Sequence, residues 1–251
     1  MASYSVDALV LSRKDIGEAD RLLTIFSRTM GKQRVVAKGV RRPTSRMSAH
    51  LEPGRESRLF LIDRRSLPLV TQVEPKQIFT STAADLTELK NLYAILETTA
   101  NLLDDGQRDS RLYDLVVATL SAFNWYHQKP NSTSAAALTI AFMLKALRLL
   151  GFGLETQYCV GCQQLLTAPD HCHHEFYLST THGGVLHSKC GHVSPGIYKI
   201  NSAALQTLRE LTQADLATIA ANTYTAAPLV LRPVQALVEW HSERSLKSAE
   251  L

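Results

Sequence analysis

The sequence predicts an α+β protein of several parts: a small β-barrel, then a helical region that is interrupted by a segment rich in cysteine and histidine. Three observations lead to this prediction. The first eighty residues alternate short apolar runs with turns, the apolar residues after Thr80 recur at helical spacing, and residues 158–199 follow neither pattern. With 251 residues, 45% of them hydrophobic and 20% charged, the chain can bury a substantial core, and disorder is not expected.

Five apolar runs in the first eighty residues predict β-strands. They are rich in Val, Leu and Ile, and glycines or polar residues separate them. The predicted strands are Val6–Leu11, Leu22–Phe26, Gln33–Lys38, Arg58–Asp63 and Leu69–Glu74. So many short strands in so short a segment indicate a closed barrel such as an OB-fold, and an SH3-like barrel fits the same pattern.

Five helices are predicted from apolar residues spaced three and four apart. They are Asp85–Leu103, Ser110–Phe123, Ala135–Leu150, Ser202–Leu211 and Pro233–Leu246, the last with its proline at or near the first position. The third is apolar on nearly all sides, which is typical of a central buried helix. The predicted domains are therefore a barrel at 1–80, a helical domain in two parts at 81–157 and 200–251, and a Cys/His insertion at 158–199.

Charge is unevenly distributed along the chain. The net charge is +4, but residues 1–80 carry fifteen Lys and Arg against eight Asp and Glu, a net +7, and the remainder carries twelve against fifteen. A basic N-terminal part beside a slightly acidic remainder indicates a local site for a polyanion, although a solvated basic face without a partner fits the same numbers.

The segment from Gly17 to Arg46 contains several polar residues at fixed spacing that resemble the RecO family of DNA repair and recombination proteins. The matching elements are Gly17-Glu18-Ala19-Asp20-Arg21, Gly31-Lys32, Ala37-Lys38-Gly39-Val40-Arg41-Arg42, Ser45-Arg46 and Leu51-Glu52-Pro53. The order of the predicted parts, strands, helices, a cysteine-bearing insertion and further helices, extends the resemblance over the whole chain.

The resemblance implies an N-terminal OB-fold, a helical domain and, in many members, a zinc-binding module. It also implies a non-enzymatic protein that binds single- and double-stranded DNA and anneals complementary strands. With RecR, such a protein loads RecA onto strands covered by single-strand-binding protein. The N-terminus shows no secretory signal, so we expect a soluble cytoplasmic protein that joins the nucleoid during repair.

Ten basic residues in and near the matching segment are the predicted DNA contacts. They are Arg13, Lys14, Arg21, Arg28, Lys32, Arg34, Lys38, Arg41, Arg42 and Arg46. Phosphates neutralised by such residues release counterions, so binding should weaken steeply with salt. For Arg21 an ion pair with Asp20 or another neighbour is an equally good interpretation.

Aromatic residues are scarce in the same region, and most of them lie within apolar strand patterns. They are Tyr4, Phe26, Phe60 and Phe79. Since single-strand binders stack bases on exposed aromatic rings, we expect binding here to depend on the backbone and to ignore base sequence.

Two short motifs predict a structural zinc site. Cys159-Val160-Gly161-Cys162 is a C-x-x-C knuckle, and His187-Ser188-Lys189-Cys190 repeats the spacing with one histidine. Together they offer the four N and S ligands that Zn²⁺ binds in a tetrahedron. Zinc-bearing relatives usually have cysteine where His187 stands, and Cys172 is a rival fourth ligand, with His182 and His192 also near.

Two other functions fit parts of the sequence. A zinc-dependent hydrolase or deaminase would need a general base near its metal, and the sequence has no H-E-x-x-H motif and no H-x-E with P-C-x-x-C. A zinc-ribbon adaptor that binds only proteins explains the Cys/His segment, but it leaves the basic N-terminal part without a role.

Overall fold

Five strands at the N-terminus close into a barrel. The structure, a computed structural model, describes residues 2–79, 86–126, 133–167, 175–192 and 194–249. The strands are β1 (Ser3–Ile16), β2 (Asp20–Ser27), β3 (Gly31–Ala37), β4 (Arg55–Ile62) and β5 (Leu69–Ile78), and a short 3₁₀ turn, Ser48–Leu51, precedes β4. All five predicted strands are confirmed, each longer than or shifted from the predicted run by a few residues.

The strand order distinguishes between the two barrels that fit the sequence. The order is β1-β2-β3-β5-β4, with β3 parallel to β5 and every other pair antiparallel. This is the OB-like arrangement. It closes because β1 is long enough to pair with β4 through Ser3–Leu9 and with β2 through Ala8–Ile16, and it bends at a bulge between Val10 and Ser12.

The barrel interior is filled by aliphatic side chains from all five strands and from the segment between β3 and β4. The buried cluster is Val6, Ala8, Val10, Leu23, Ile25, Val35, Ala37, Val40, Leu51, Leu59, Leu61 and Val70. Most of these positions are spaced two apart along a strand, as expected for side chains on one side of a sheet, and Leu9, between Ala8 and Val10, is fully buried as well.

The remaining elements are six helices and a small sheet. The helices are α1 (Leu86–Leu102), α2 (Ser110–Tyr126), α3 (Thr133–Leu149), α4 (Ser202–Gln213), α5 (Leu216–Ala221) and α6 (Ala227–Ser242), followed by a 3₁₀ turn at Lys247–Ala249. The sheet has the order β7-β6-β8, formed by β6 (Glu175–Ser179), β7 (Gly184–His187) and β8 (Ile197–Asn201).

The chain forms two compact units, an N-terminal unit of Met1–Asn124 and a C-terminal unit of Trp125–Leu251. Helix α1 and most of α2 belong to the same unit as the barrel, and α1 packs against β1. In the C-terminal unit, α3 packs against α4, α5 and α6, and its residues from Ala135 to Leu147 are buried with the exception of Ala136 and Lys145. The predicted central helix is thus confirmed, and the four domain ranges stay a prediction.

Two features of the C-terminal unit correct the sequence predictions. The last long helix begins at Ala227, six residues before the predicted start at Pro233. Pro228 occupies its first turn, and Pro233 lies inside the helix. The segment 158–199, which shows neither the strand nor the helical pattern in the sequence, nevertheless contains strands, and these bury Phe176, Leu178 and Val185. These strands are only four or five residues long, too short for a clear period-two signal.

Within the described residues, no helix has the length and apolar character needed to cross a membrane.

Candidate functional site

Three loops meet at one end of the barrel, which we call the loop end. They are the β1–β2 turn (17–19), the segment after β3 (38–46) and the β4–β5 loop (63–68). The backbone N–H of Arg41 donates to the Ala19 carbonyl at 2.9 Å, and the N–H of Val36 donates to the Pro68 carbonyl at 2.9 Å. The parallel pairing of β3 with β5 therefore brings three polar loops together.

Four of the ten predicted contacts are exposed at or beside the loop end with no side-chain partner in the described part of the chain: Lys14, Lys38, Arg42 and Arg46. Two further arginines, Arg64 and Arg65 in the β4–β5 loop, are also exposed and have no side-chain partner among the described residues. The sequence analysis missed this pair because it lies outside the matching segment. An Arg-Arg dipeptide in a polar loop between two predicted strands was the available signal.

Four more predicted contacts are exposed but already paired with carboxylates. Arg28 donates to both oxygens of Asp114 at 2.9 and 3.0 Å, which is a bidentate contact. The other pairs are Arg13–Glu52 at 2.8 Å, Arg34–Asp105 at 2.9 Å and Arg41–Asp15 at 3.2 Å. Such a cation must release its carboxylate, or share it, before it contacts a phosphate.

The remaining two predicted contacts, Arg21 and Lys32, are buried. The Arg21 guanidinium pairs with Asp15 at 3.1 Å and with Glu52 at 3.0 Å, and its side chain is only 10% exposed. Asp20, the alternative partner, instead accepts the N–H of Gly39 at 2.8 Å. Arg21 therefore contacts neighbours that hold the loop end together.

Lys32 performs a different structural task at the opposite end of β3. Its side chain is 5% exposed, and its ammonium donates to the carbonyls of Ala100, at 2.8 Å, and of Leu103. These carbonyls lie at the C-terminus of α1, where a helix leaves acceptors without intrahelical partners and favours positive charge. Lys32 thus caps α1 and ties it to the barrel.

Gly31 allows this contact by its lack of a side chain. A Cβ at this position would lie 2.2 Å from the carbonyl oxygen of Gln107, and the residue has φ of +73°. The backbone of Lys32 then pairs with the α1–α2 loop, donating to Gln107 at 3.1 Å and accepting from Gly106 at 2.7 Å. The Gly31-Lys32 element is therefore part of the interface between barrel and helices.

The outer face of β1, β2 and β3 leads away from the loop end. Cross-strand partners share a face of a sheet, and the register places Lys14, Leu22, Val36 and Leu69 in one row. The three apolar members of the row are half-buried, whereas Phe26 and Phe79 are fully buried. The outer face thus places a shallow apolar surface beside basic residues. Phe26 and Phe79 are not available on this face to stack with bases.

The second candidate site is the Cys/His cluster. The ligand atoms of Cys159, Cys162, His187 and Cys190 all lie within 4.8 Å of one another. The Cys162 sulfur lies 3.4 Å from Nδ1 of His187, so the ring presents that nitrogen to the cluster. Four N and S donors so arranged can hold a metal ion.

Local structure explains how the two knuckles meet. Strand β7 pairs with the first knuckle through the N–H of Val160, which donates to the Val185 carbonyl at 3.0 Å. A Cβ at Gly184 would lie 2.3 Å from a methyl of Val160, so only glycine permits this approach. The N–H of Cys190 donates to the His187 carbonyl at 2.9 Å, which closes the second knuckle as a tight turn.

The thiols of the cluster differ in acidity. Burial opposes ionisation of Cys159, but N–H groups of Cys162, His187 and Gly161 donate to its sulfur, and the balance lowers the pKa of that thiol to about 6. Partial burial and the neighbouring sulfurs raise the pKa of Cys190 to about 11. Crowded sulfurs of this kind repel one another as thiolates, and a cation among them removes the repulsion.

The rival ligands are placed differently. Cys172 lies outside the described residues. His182 is engaged elsewhere, since its Nδ1 lies 2.9 Å from the Ser179 hydroxyl and 3.1 Å from that of Thr181, and His192 is exposed and outside the cluster.

Arg209 on α4 holds the chain on both sides of the first knuckle. Its Nε and Nη2 donate to the Thr156 carbonyl at 2.9 and 2.7 Å, and Nη2 also donates to the Leu166 carbonyl at 2.9 Å. Residues 156 and 166 flank Cys159 and Cys162, so this arginine joins the knuckle to the helices.

Comparison with known proteins agrees with this architecture. The profile described as Recombination protein O N terminal matches residues 1–79, and that described as Recombination protein O C terminal matches residues 83–250. The DNA repair protein RecO of Heliobacterium modesticaldum is 32% identical over 239 residues, covering 95% of this chain and 84% of the relative. The proteins of the same name from Pelotomaculum thermopropionicum and Symbiobacterium thermophilum are each 29% identical, covering 99% and 100% of this chain and 93% and 96% of theirs. The chain belongs to the RecO family of DNA repair and recombination proteins.

Proposed function

We propose that this chain binds DNA through the loop end of the barrel and acts as a recombination mediator. In this role it binds single and double strands, anneals complementary strands and, with RecR, helps to load RecA onto strands covered by single-strand-binding protein. The role is non-catalytic and belongs to the cytoplasm. The observation that carries the proposal is the set of exposed cations at the loop end of an OB-like barrel that have no side-chain partner in the described part of the chain.

The ten predicted contacts separate into groups by their surroundings, which sharpens the proposal. Lys14, Lys38, Arg42 and Arg46 are the primary contacts, because their charges have no protein partner among the residues that the structure describes. Arg13, Arg28, Arg34 and Arg41 contribute less, since each would exchange a carboxylate for a phosphate. Arg21 and Lys32 act through the fold.

The half-buried apolar row of Leu22, Val36 and Leu69 offers a surface for sugars and base edges. None of the four aromatic residues of the barrel is fully exposed, since Tyr4 and Phe60 are half-buried and Phe26 and Phe79 are buried, so the barrel lacks the open rings on which sequence-tolerant binders stack bases. Contacts to phosphates therefore dominate. Phosphate contacts position a strand without reading its sequence, and they tolerate a duplex. Such binding suits a protein that pairs two strands and then leaves them.

We also propose that the Cys/His cluster holds structural zinc through Cys159, Cys162, His187 and Cys190. All four positions are supplied by the protein, which leaves no open position for a reacting group. The bound ion would neutralise the crowded thiolates and join the two knuckles. It would thereby stabilise the C-terminal unit, on which docking of protein partners is expected.

Fluorescence anisotropy with a labelled oligothymidylate across a salt series tests the DNA-binding proposal. The triple variant Lys38→Ala, Arg42→Ala, Arg46→Ala should bind more weakly, and the slope of log affinity against log salt should fall by about 0.7 for each phosphate contact removed. The matched control, Arg58→Ala with Lys76→Ala and Arg111→Ala, also removes three exposed cations of the same unit, which are paired with Asp7 and Asp109 and are not predicted contacts.

The outcomes separate the candidate functions. Loss of affinity in the triple variant, with a smaller change in the control, supports the mediator role and justifies annealing assays and pull-downs with RecR and single-strand-binding protein. Equal effects in both variants would mean that net charge, not the loop end, governs binding. No DNA binding by the unmodified protein at low salt would favour a zinc-ribbon adaptor that binds only proteins.

A further inference from the structure

A polar cavity of about 310 Å³ lies in the C-terminal unit beside the chain that enters the first knuckle. Its wall is formed by α3, by residues 153–157 and by α4. The charged and polar residues that line it are Arg148, Glu155, Gln157, Arg209, Thr212 and Gln213. None of these belongs to the DNA contacts or metal ligands assigned above.

Neither arginine of this cavity forms an ion pair with a carboxylate in the described part of the chain. Arg209 donates only to backbone carbonyls, and its Nη1 has no partner among the described residues. Burial lowers the pKa of Arg209, and the Glu155 carboxylate, beyond ion-pair distance, opposes this only in part, so the surroundings leave the cation incompletely compensated. Arg148 is exposed and likewise has no described hydrogen-bond or ion-pair partner. An anion between them would supply the missing countercharge.

Glu155 sets the size of that countercharge. Its carboxylate accepts the N–H groups of Gln157 at 2.6 Å and of Tyr158 at 3.0 Å, so it is held in the cavity wall as part of a turn. Two arginines and one carboxylate leave one unit of positive charge. A phosphodiester, with one negative charge, matches this balance, whereas a peptide with several acidic residues would also face Glu155.

A second cavity, of about 490 Å³, adjoins the first and shares Gln157 and Arg209 with it. Its other lining residues are Leu165, Leu166, Thr167 and Gln206, so its surface is more apolar. A polar cavity beside an apolar one matches a nucleotide, in which a charged phosphate is attached to a flat, largely apolar base.

We propose that this pair of cavities binds one nucleotide of a single DNA strand, with the phosphodiester between Arg148 and Arg209 and the base beside Leu165. The inference rests on the proposed DNA-binding function and extends it, because it gives the C-terminal unit a strand contact of its own. Planar guanidinium groups bind phosphate oxygens in pairs, and the amide of Gln157 and the hydroxyl of Thr212 are further donors. A protein that anneals strands requires contacts for two of them.

The test uses the full-length, isotopically labelled protein and the trinucleotide dTpdTpdT, followed through backbone amide resonances by NMR. Resonances of Gln157, Thr212 and Gln213 should shift on titration in the unmodified protein, and about fivefold more trinucleotide should be needed for the same shifts in Arg148→Ala. Arg148 is the residue to change because Arg209 also supports the knuckle. The matched control is Arg244→Ala, an exposed arginine of the same unit that lines neither cavity.

The barrel provides an internal reference in the same spectra, since Val36 and Lys38 should shift in every variant. If the barrel responds and the cavity does not, this inference is overturned and the proposed function stands. If neither responds at millimolar trinucleotide, both fail. Titration with the acidic peptide acetyl-Asp-Asp-Asp-Leu is the remaining arm, and cavity shifts with this peptide alone would assign the site to a protein tail and overturn the inference.

Binding to a longer oligothymidylate gives a second, quantitative measurement. Arg148→Ala should weaken binding by about fivefold, the upper range for an exposed ion pair, and lower the salt slope by about 0.7. Arg244→Ala should leave both values unchanged. An Arg148→Ala variant that binds the long strand with the affinity and slope of the unmodified protein would contradict the inference.

Discussion

The barrel and the Cys/His insertion at 158–199, here called the module, present their candidate functional groups in opposite ways. In the barrel, an aliphatic core maintains the fold, and eight of the ten candidate cations lie outside it, exposed on loops and on the outer surfaces of strands. In the module, the candidate ligands are themselves structural, because Cys159 is fully buried and its knuckle pairs with β7. We therefore expect that the barrel can lose DNA contacts without losing its fold, and that loss of a ligand would destabilise the module.

Lys32 and Arg21 are exceptions within the barrel. Both are buried and both donate to groups of the protein itself, as the cysteines of the module would bind their ion. Position in the sequence does not distinguish them from Lys38 or Arg42, since all four lie in the segment that carries the family resemblance. The following predictions test this division.

The largest effect is expected from loss of the metal. Cys159→Ser should abolish bound zinc, measured by plasma mass spectrometry, and should destabilise the C-terminal unit by at least about 3 kcal/mol in urea unfolding, because a structural zinc site contributes directly to folding. Cys172→Ser is the matched control and should retain both the ion and the stability. Loss of zinc in Cys172→Ser, with zinc retained in His187→Ala, would instead make Cys172 the fourth ligand.

Substitution of Lys32 should have the next largest effect. Lys32→Met removes the ammonium that caps α1 and leaves the carbonyls of Ala100 and Leu103 without their donor, at a cost of about 2–4 kcal/mol. Lys38→Met changes an exposed lysine of the same segment and should cost less than about 0.5 kcal/mol. Chemical denaturation of both variants measures the difference, and equal stabilities would contradict the structural role of Lys32.

A smaller effect, a gain in DNA affinity, is expected when a paired cation loses its carboxylate partner. Asp15 accepts from Arg41 at 3.2 Å and from Arg21 at 3.1 Å, and Arg21 keeps Glu52 when Asp15 is changed. Asp15→Asn should therefore strengthen DNA binding by about two- to fivefold, since Arg41 no longer exchanges a carboxylate for a phosphate. Anisotropy at fixed salt measures this, with Asp109→Asn, which changes a carboxylate of the same unit away from the loop end, as control. Weaker binding by Asp15→Asn would mean that Arg41 needs its partner for orientation.

The smallest effect concerns the exposed network around Asp7. The hydrogen bond from Arg58, only partly opposed by burial, holds the pKa of Asp7 below its ordinary value of 3.8, and Lys76 adds to the effect. A lowered carboxyl pKa in the folded state means that the stabilisation is fully present above about pH 4 and is lost as the pH falls through the lowered pKa. Asp7→Asn should thus cost about 0.5 kcal/mol at pH 7 and less at pH 3, measured by urea unfolding at both values. An undiminished cost at pH 3 would show that shape, not charge, is responsible.

Patterns of short range were readable from the sequence. Short apolar runs rich in Val, Leu and Ile, separated by turns, located all five barrel strands, and a helix apolar on nearly every side located α3, because both patterns record which residues face a core. The spacing of Cys159 with Cys162, and of His187 with Cys190, indicated four ligands that the structure places within 4.8 Å. Each of these patterns lies among residues close in sequence, so a single sequence is enough to predict the elements and the ligands.

Only the tertiary structure decided which groups remain free to act. The closed order β1-β2-β3-β5-β4 gathers three loops at one end, and no local pattern specifies that pairing. Whether a lysine is a DNA contact or a helix cap depends on what lies opposite it, and for Lys32 that is the end of a helix about seventy residues away. The sequence specifies which residues are charged, but the partner of each charge depends on contacts between distant segments, and those contacts form only when the chain has folded.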